Sequence, residues 1–390
     1  MTGDLAVRFR GDGWRLGGPV GFAGPEEVIR AEADRPDQLE PLLERLDAVA
    51  VSADPDLFAA GYLSYEAGVR LEGAPGDFRP PDLGPLGLFG VFRRERGTVF
   101  DDAAIPSPPP SRGRSVVSSL DRSAWAAAVA GIRDGIERGD VYQVNLTRRM
   151  AAEGRFDPDV LAAGMWRENP VPFAVHIRDA DLSIVCNSPE LFLDADLRRG
   201  VASSGPIKGT VPRGDLGAES AARALLASEK DLAEHLMIVD LVRNDLGRVA
   251  RAGGVSVPIL RGLKELRHLV HMESVVEARL RPGIRVSDLL RAAFPPGSVT
   301  GAPKRAALSF IRALEPVPRG PYCGAAGYVR GNGEVLLNVA IRSAVVFPGW
   351  VHYHAGGGIV WDSDAAAEWD ETVVKSIEFL RGIGVDSVQE

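Results

Sequence analysis

Lys208 stands in "GPIKGTVPRG" (Gly205 to Gly214), framed by glycines and prolines. It is one of five lysines, at 208, 230, 264, 304 and 375, in a chain whose other forty basic residues are arginine. An ε-ammonium can give up its proton and become a nucleophile, whereas a guanidinium stays charged. A lysine retained here is therefore either an exposed loop cation or a chemical group. Two further pairs have helical spacing: Lys230 with Glu234, and Glu371 with Lys375, the latter in the order that suits the helix dipole. Each reads as a surface ion pair worth roughly 0.2–0.5 kcal/mol. Alternatively, Glu234 and Glu371 are carboxylates from distant elements that meet at a hard cation. Mg²⁺ is commonly held by one or two carboxylates, waters and an anionic substrate, so two glutamates would suffice.

Other signals are weaker. The run "YHAGGGIVWDSD" places Gly356, Gly357 and Gly358 after a strand, where bare backbone N–H groups could face a carboxylate or phosphate, or simply make a turn or a close backbone contact. "FPPGSVTGAPK" (Phe294 to Lys304) matches neither the Walker A nor the dinucleotide pattern. None of the six histidines has metal-site spacing, although His268 and His271 lie three apart. Cys186 and Cys323 are too few for a disulfide framework or a four-cysteine zinc site and read as small buried hydrophobes.

The elements that must position these groups are legible in outline. A chain of 390 residues, 45% hydrophobic and 25% charged, can bury a substantial core. With net charge −8 and no basic stripe, nucleic acid is not an expected partner. Apolar runs fall short of a membrane span and "MTGDLAVRFRGDGW" lacks a signal-peptide core, so the expected location is cytoplasmic. The proline-rich stretch 101–115 reads as a linker between an N-terminal segment, 1–115, and a core, 116–385. In the core, helices are expected over "DRSAWAAAVAGIRDGIERGD", from Glu219 to about Val249, over "APKRAALSFIRALEP", and from about Asp364 to Arg381. Strands are expected at "VYQVNLTRRM", "PFAVHIRD", "LSIVCNSPELFLDAD", "AGYVRGNGEVLLNVAIRSAVV" and "WVHYHAGGGIV". Strand pairs joined by tight turns, with long helices between, imply an α+β fold with mainly antiparallel sheet. From these residues alone, the chain is an enzyme or a non-catalytic small-ligand binder with an anion and Mg²⁺ site.

The strings "GDVYQVNLT", "NSPELFL", "GPIKGTVPRG", "KDLAEHLMIVDLVRNDLGRV", "HMESVV", "FPPGSVTGAPK", "YCGAAGYV", "NVAIRS" and "AGGGIVWDSDAAAEWDETVVKS" together resemble the chorismate-utilising enzymes. Within that family they are most similar to component I of aminodeoxychorismate synthases. They run from about Ser118 to Lys375 in the family's order; the first hundred residues match only through "GYLSYEAG". The resemblance implies two antiparallel β-sheets packed as a sandwich with helices outside, the N-terminal segment adding strands, and the site between the sheets.

It implies Glu234 and Glu371 as Mg²⁺ ligands and Glu190 as general acid or base near the C4 hydroxyl. Tyr328, Arg342, the Gly356–Gly358 turn and Lys375 correspond to binders of the substrate carboxylates, with His271 and Thr300 lining the pocket. Tyr322 stands where relatives often carry tryptophan. Two positions separate family members. Anthranilate-forming relatives resemble "PIAGT" where this chain has "PIKGT", so Lys208 implies a covalent lysine adduct that directs ammonia to C4. Isochorismate and salicylate synthases place a water-activating lysine where this chain has Gln143, so ammonia is the implied nucleophile. A separate glutamine amidotransferase subunit is the implied source, and 4-amino-4-deoxychorismate the product. Anthranilate or 2-amino-2-deoxyisochorismate synthesis is the alternative, followed by a catalytically silent chorismate binder.

Overall fold

The computed structural model describes residues 4–73, 78–94, 97–99, 105, 115–212, 217–265 and 269–385. Most of the proline-rich stretch 101–115, together with His268 and the Arg213–Gly214 end of the Lys208 motif, lies outside them. Two antiparallel sheets form the frame. The first runs Gly301–Ala302 (β15), Gln143–Glu153 (β7), Trp350–Ile359 (β19), Ser343–Phe347 (β18), Leu182–Ser188 (β9), Phe173–Asp179 (β8), Ala6–Arg10 (β1), Val20–Ala23 (β2), with Val116–Ser118 (β6) on β7. The second runs Ile207–Pro212 (β12), Leu269–Leu280 (β14), Val201–Gly205 (β11), Leu191–Asp196 (β10), Glu334–Val339 (β17), Ala325–Arg330 (β16), Leu57–Leu63 (β4), Gly87–Arg93 (β5), Glu27–Ala31 (β3). Ala250–Glu265 (β13) pairs with β14.

Period-two alternation explains how the sheets stack. Along β9, Leu182, Ile184 and Cys186 face a core shared with Phe58, Ala60 and Tyr62 of β4, while Val185 turns outward. That outward face packs under Pro158–Glu168 (α4) and Ile377–Gly382 (α10), through Leu161, Met165 and Phe379. On the other side, Leu39–Ala50 (α1), Tyr65–Glu72 (α2), Glu229–Gly247 (α6) and Val286–Ala293 (α7) cover the second sheet. Arg122–Glu137 (α3), Gly217–Ala227 (α5), Lys304–Leu314 (α8) and Ala365–Val374 (α9) complete the helices used below. Burial of both sheet faces accounts for the near-continuous apolar runs of the strands.

Three expected elements are divided. The stretch Glu219–Val249 is two helices, because the Ser228 hydroxyl accepts from the Asp231 amide and starts α6 afresh. The last helix breaks at Lys375, whose carbonyl is taken by the Tyr353 hydroxyl at 2.8 Å instead of by the helix ladder. The run "LSIVCNSPELFLDAD" splits at Pro189–Glu190, with β9 in one sheet and β10 in the other. The hairpin between β8 and β9 is present, in register from Phe173↔Ser188 to Asp179↔Leu182.

Candidate active site

Lys208 lies in a bulge. Between Ile207↔Glu273 and Thr210↔His271 the β12–β14 ladder shifts register, and Gly209 sits at φ +78° with Leu225 where a side chain would go. Only glycine takes that backbone cheaply, so the glycine of "PIKGT" is what aims the lysine inward. Its Nζ donates to Glu234 Oε1 at 2.6 Å, and the two side chains are only 13% and 10% exposed. Gln143, the first residue of β7, donates Nε2 to the same oxygen at 2.5 Å. Glu234 itself is aimed by its neighbour on α6: His235 Nε2 meets Ser274 Oγ of β14 at 2.6 Å.

The three glycines are not a turn; they are the interior of β19, paired with Thr147, Leu146 and Asn145 of β7. Their contribution is space. A Cβ on Gly358 would stand 2.0 Å from Gln143 Nε2, 2.3 Å from Glu234 Oε1 and 2.7 Å from Lys208 Nζ. A Cβ on Gly357 would face Glu368 Oε2 at 3.1 Å, Glu371 Oε1 at 3.9 Å and Lys375 Nζ at 4.0 Å. Lys375 pairs with Glu371 Oε1 at 2.6 Å and donates to the Gly356 carbonyl at 2.8 Å. Lys230 pairs not with Glu234 but with Glu368, at 3.2 Å across to α9; Ser363 Oγ donates to that same carboxylate. Spacing pairs Lys230 with Glu234 and gives Glu368 no mark, since the pair that forms joins two distant helices.

Burial works to neutralise the Lys208 amine, yet Glu234, with Glu371 and Glu190 beyond, holds its pKa above the ordinary lysine value. Burial likewise works against Glu371, but Lys375, Lys208 and Lys230 keep that carboxyl below its usual range. Glu190 goes the other way. It sits at the crossing between the sheets, its carbonyl taken by the Val339 amide, and burial pushes its carboxyl up to about 7 against the Ser298 hydrogen bond and the Lys208 charge. His271, on β14, is held neutral: burial, then the charges of Arg342, Lys264 and Lys375, lower its pKa to about 3. Arg342, half-buried at φ +52°, faces Glu378 at 3.6 Å and feels Glu378 first, then Tyr353 and Tyr322; the Tyr322 ring stacks on His354 at 5.1 Å.

Thr300 is fully buried, donating to the Pro296 carbonyl at 2.8 Å and accepting from the Tyr65 hydroxyl at 3.2 Å. Tyr328 is elsewhere. Its ring belongs to the aromatic core between the sheets, with Phe9, Trp14 and Phe58, and its hydroxyl is spent on Trp14 O and Glu334 Oε1, at 2.9 and 2.8 Å. Tyr322, six residues earlier on the same motif, lies near Arg342, as does Tyr353. Both cysteine thiols are buried and pushed up, Cys186 to about 11 and Cys323 to about 12, so neither is a thiolate at neutral pH.

The donor set suits a hard cation. Glu234 and Glu371 offer oxygens beside the glycines of β19, 2.3 Å from a Cβ built on Gly358 and 3.9 Å from one built on Gly357, and Lys208 feels both charges. Among the described residues no group of three or more His, Cys, Asp or Glu is arranged to hold a metal. Two carboxylates completed by water and substrate oxygens is the manner in which Mg²⁺ is bound.

Two sheets enclosing such a cluster define the fold of chorismate-converting enzymes. The anthranilate synthase component I of Streptococcus pneumoniae superposes with a TM-score of 0.75 at 25% identity, over 97% of this chain and 92% of that one. Residues 8–381 match the chorismate binding enzymes, and the chain belongs to that family. Component 1 of the Klebsiella aerogenes aminodeoxychorismate synthase is 42% identical over 341 residues, 81% of this chain and 75% of its own length. Component 1 of the Pseudomonas aeruginosa anthranilate synthase is 39% identical over 273 residues, 69% of this chain; the match spans about half, 54%, of that relative. Among the described residues no helix is long and apolar enough to cross a membrane.

Proposed function

We propose that the protein is the chorismate-converting component of an aminodeoxychorismate synthase, using Mg²⁺ and ammonia from a separate glutamine amidotransferase subunit in the cytoplasm. Lys208 carries this reading: a buried amine 2.6 Å from Glu234, in a cluster whose other polar member, Gln143, cannot take up a proton. Lys208, an ammonium at rest, first passes a proton to the Glu234 carboxylate it is hydrogen-bonded to; the neutral Nζ then adds to C2 of chorismate as the ring double bond shifts and the C4 hydroxyl departs, protonated to water by Glu190. Ammonia then bonds to C4, the double bond returns, and the lysine nitrogen leaves C2 with its electron pair; the new C4 ammonium returns a proton to Glu190, and Lys208 takes its own proton back from Glu234. The net change is chorismate plus ammonia to 4-amino-4-deoxychorismate plus water. Arg342 and Lys375 are cations suited to the substrate carboxylates, and neutral His271 is suited to hydrogen-bond without adding charge. Glu234 and Glu371 would hold Mg²⁺, which when bound supplies Lewis-acid polarisation of a substrate carboxylate.

A second reading, anthranilate or 2-amino-2-deoxyisochorismate synthesis, is favoured by the 39% identity to the Pseudomonas aeruginosa component. The two separate on product. Incubation with chorismate, ammonium and Mg²⁺ is expected to give a compound of the mass of 4-amino-4-deoxychorismate that its lyase converts to 4-aminobenzoate; anthranilate as the main product overturns the first reading.

A further inference from the structure

A cavity of about 360 Å³ opens between α2 and α8, on the helical side of the molecule. Val69, Phe78, Leu308, Ile311 and Val317 make its apolar walls. Arg70 and Arg312 also line it, and among the described residues no ion pair or hydrogen bond is formed by either guanidinium. Arg79, at the same wall, is occupied with the Glu315 and Arg312 carbonyls at 2.8 and 3.2 Å.

The acids facing the cavity are already committed. Glu66 accepts from the Arg319 and Gly320 amides at 2.8 and 3.0 Å. Glu315 accepts from Arg319 Nε at 2.9 Å, from Arg319 Nη2 at 2.6 Å and from the Thr147 amide at 2.9 Å. Among the described residues, an incoming molecule therefore meets apolar side chains and two guanidiniums with no hydrogen-bonded acceptor; the Glu40 carboxylate, which feels Arg70 from a distance, is hydrogen-bonded to Arg291. The volume lies within the range of small-molecule sites.

The geometry points to a second ligand site in this cavity, for a small molecule with a single-ring apolar body and one carboxylate, the ring against Phe78 and Leu308 and the carboxylate between Arg70 and Arg312. Charge and area together recognise it: the ring removes apolar surface from water and the guanidiniums pair with an anion that the walls otherwise leave unmatched. Such a molecule would rest on Tyr65, whose hydroxyl donates to Thr300, and on Arg319, whose Nη2 donates to the Asn145 carbonyl at 2.7 Å.

The test uses fluorine NMR of the full chain with 4-fluorophenylacetate and, as its uncharged counterpart, 4-fluorophenylethanol. The acid is expected to saturate with a Kd at least tenfold below that of the alcohol. Arg70→Gln with Arg312→Gln should erase that preference and leave alcohol binding unchanged, Leu308→Trp should remove both ligands by filling the cavity, and Lys375→Met, in the catalytic cleft, should change nothing. Equal affinity for acid and alcohol, a preference that survives the double variant, or loss of acid binding in Lys375→Met overturns the proposal.

Discussion

Lys208 and Glu234, 26 residues apart on a sheet edge and a helix, share a hydrogen bond of 2.6 Å in a nearly buried setting. The lysine is consequently held as ammonium by a carboxylate, although its surroundings otherwise favour the neutral amine. Glu234→Gln is expected to let burial win and lower the Lys208 pKa below its ordinary 10.5. The rate of labelling of Lys208 by an amine-specific reagent, followed against pH by mass spectrometry, checks this; an unchanged midpoint counts against it.

Lys208→Ala removes the nucleophile and should reduce 4-amination by about 10³-fold or more. Product analysis of the variant with ammonium and chorismate is expected to show what amination remains moving to C2. Retention of the 4-amino product at the original rate would rule out the covalent role.

Gly358→Ala places a methyl group within 2.0–2.7 Å of the working ends of Gln143, Lys208 and Glu234. A loss of roughly 10²-fold in kcat/KM is expected from the displaced cluster, with a folded, cooperative unfolding transition retained because those side chains can swing aside. Gly356→Ala differs: its Cβ would lie 2.2 Å from the Leu146 carbonyl, which is backbone. Poor folding, read by thermal unfolding, is the expected outcome there.

Glu190 sets a pH dependence with a definite sign. Its folded pKa, about 7, stands above the ordinary 4.5, so the folded chain binds the proton more tightly. Its contribution to stability is thus fully present below 4.5 and is lost as pH rises to about 7, by roughly 3 kcal/mol in all. Glu190→Gln should flatten that fall in urea unfolding between pH 5 and 8. As a general acid, Glu190 should make kcat/KM decline above about pH 7. Ser298→Ala removes a hydrogen bond that favours the carboxylate, moving that decline upward by about 0.5–1 unit; a downward shift contradicts the assignment.

Arg319 and Glu315 form a fully buried pair at 2.6 Å, with Tyr65 under the guanidinium at 4.4 Å. Arg319→Met leaves Glu315 buried without its partner and is expected to cost about 3–5 kcal/mol in urea unfolding. The Val299 and Asn145 carbonyls also lose their donor.

Much of the fold was legible because alternation and turn chemistry are local. The β8–β9 hairpin and the helix at Arg122–Glu137 required nothing beyond their own residues. What failed was long-range. In "NSPE" Pro189 is a local sign that the strand breaks, but which sheet the chain joins next rests on Val339, 149 positions away from Glu190. The restart at Ser228 has a local mark, a serine three residues before an acid, that the helical period over Glu219–Val249 does not show. In the site, motif position located Lys208, Gln143, Glu234 and Glu371 around one glycine strand. It misdirected Tyr328 because two tyrosines share one motif, and only sheet packing tells which ring faces Arg342 and which faces Trp14.

The floor at Gly358 has a consequence for how such sites diversify. Side chains at 143, 208 and 234 share one small volume and one acceptor oxygen. Two ammonium groups on that oxygen would repel each other in a medium of low dielectric. A lysine at 143 and a lysine at 208 are therefore mutually exclusive occupants of this volume. Moving the positive charge from one strand to the other takes paired substitutions, over a backbone that need not move.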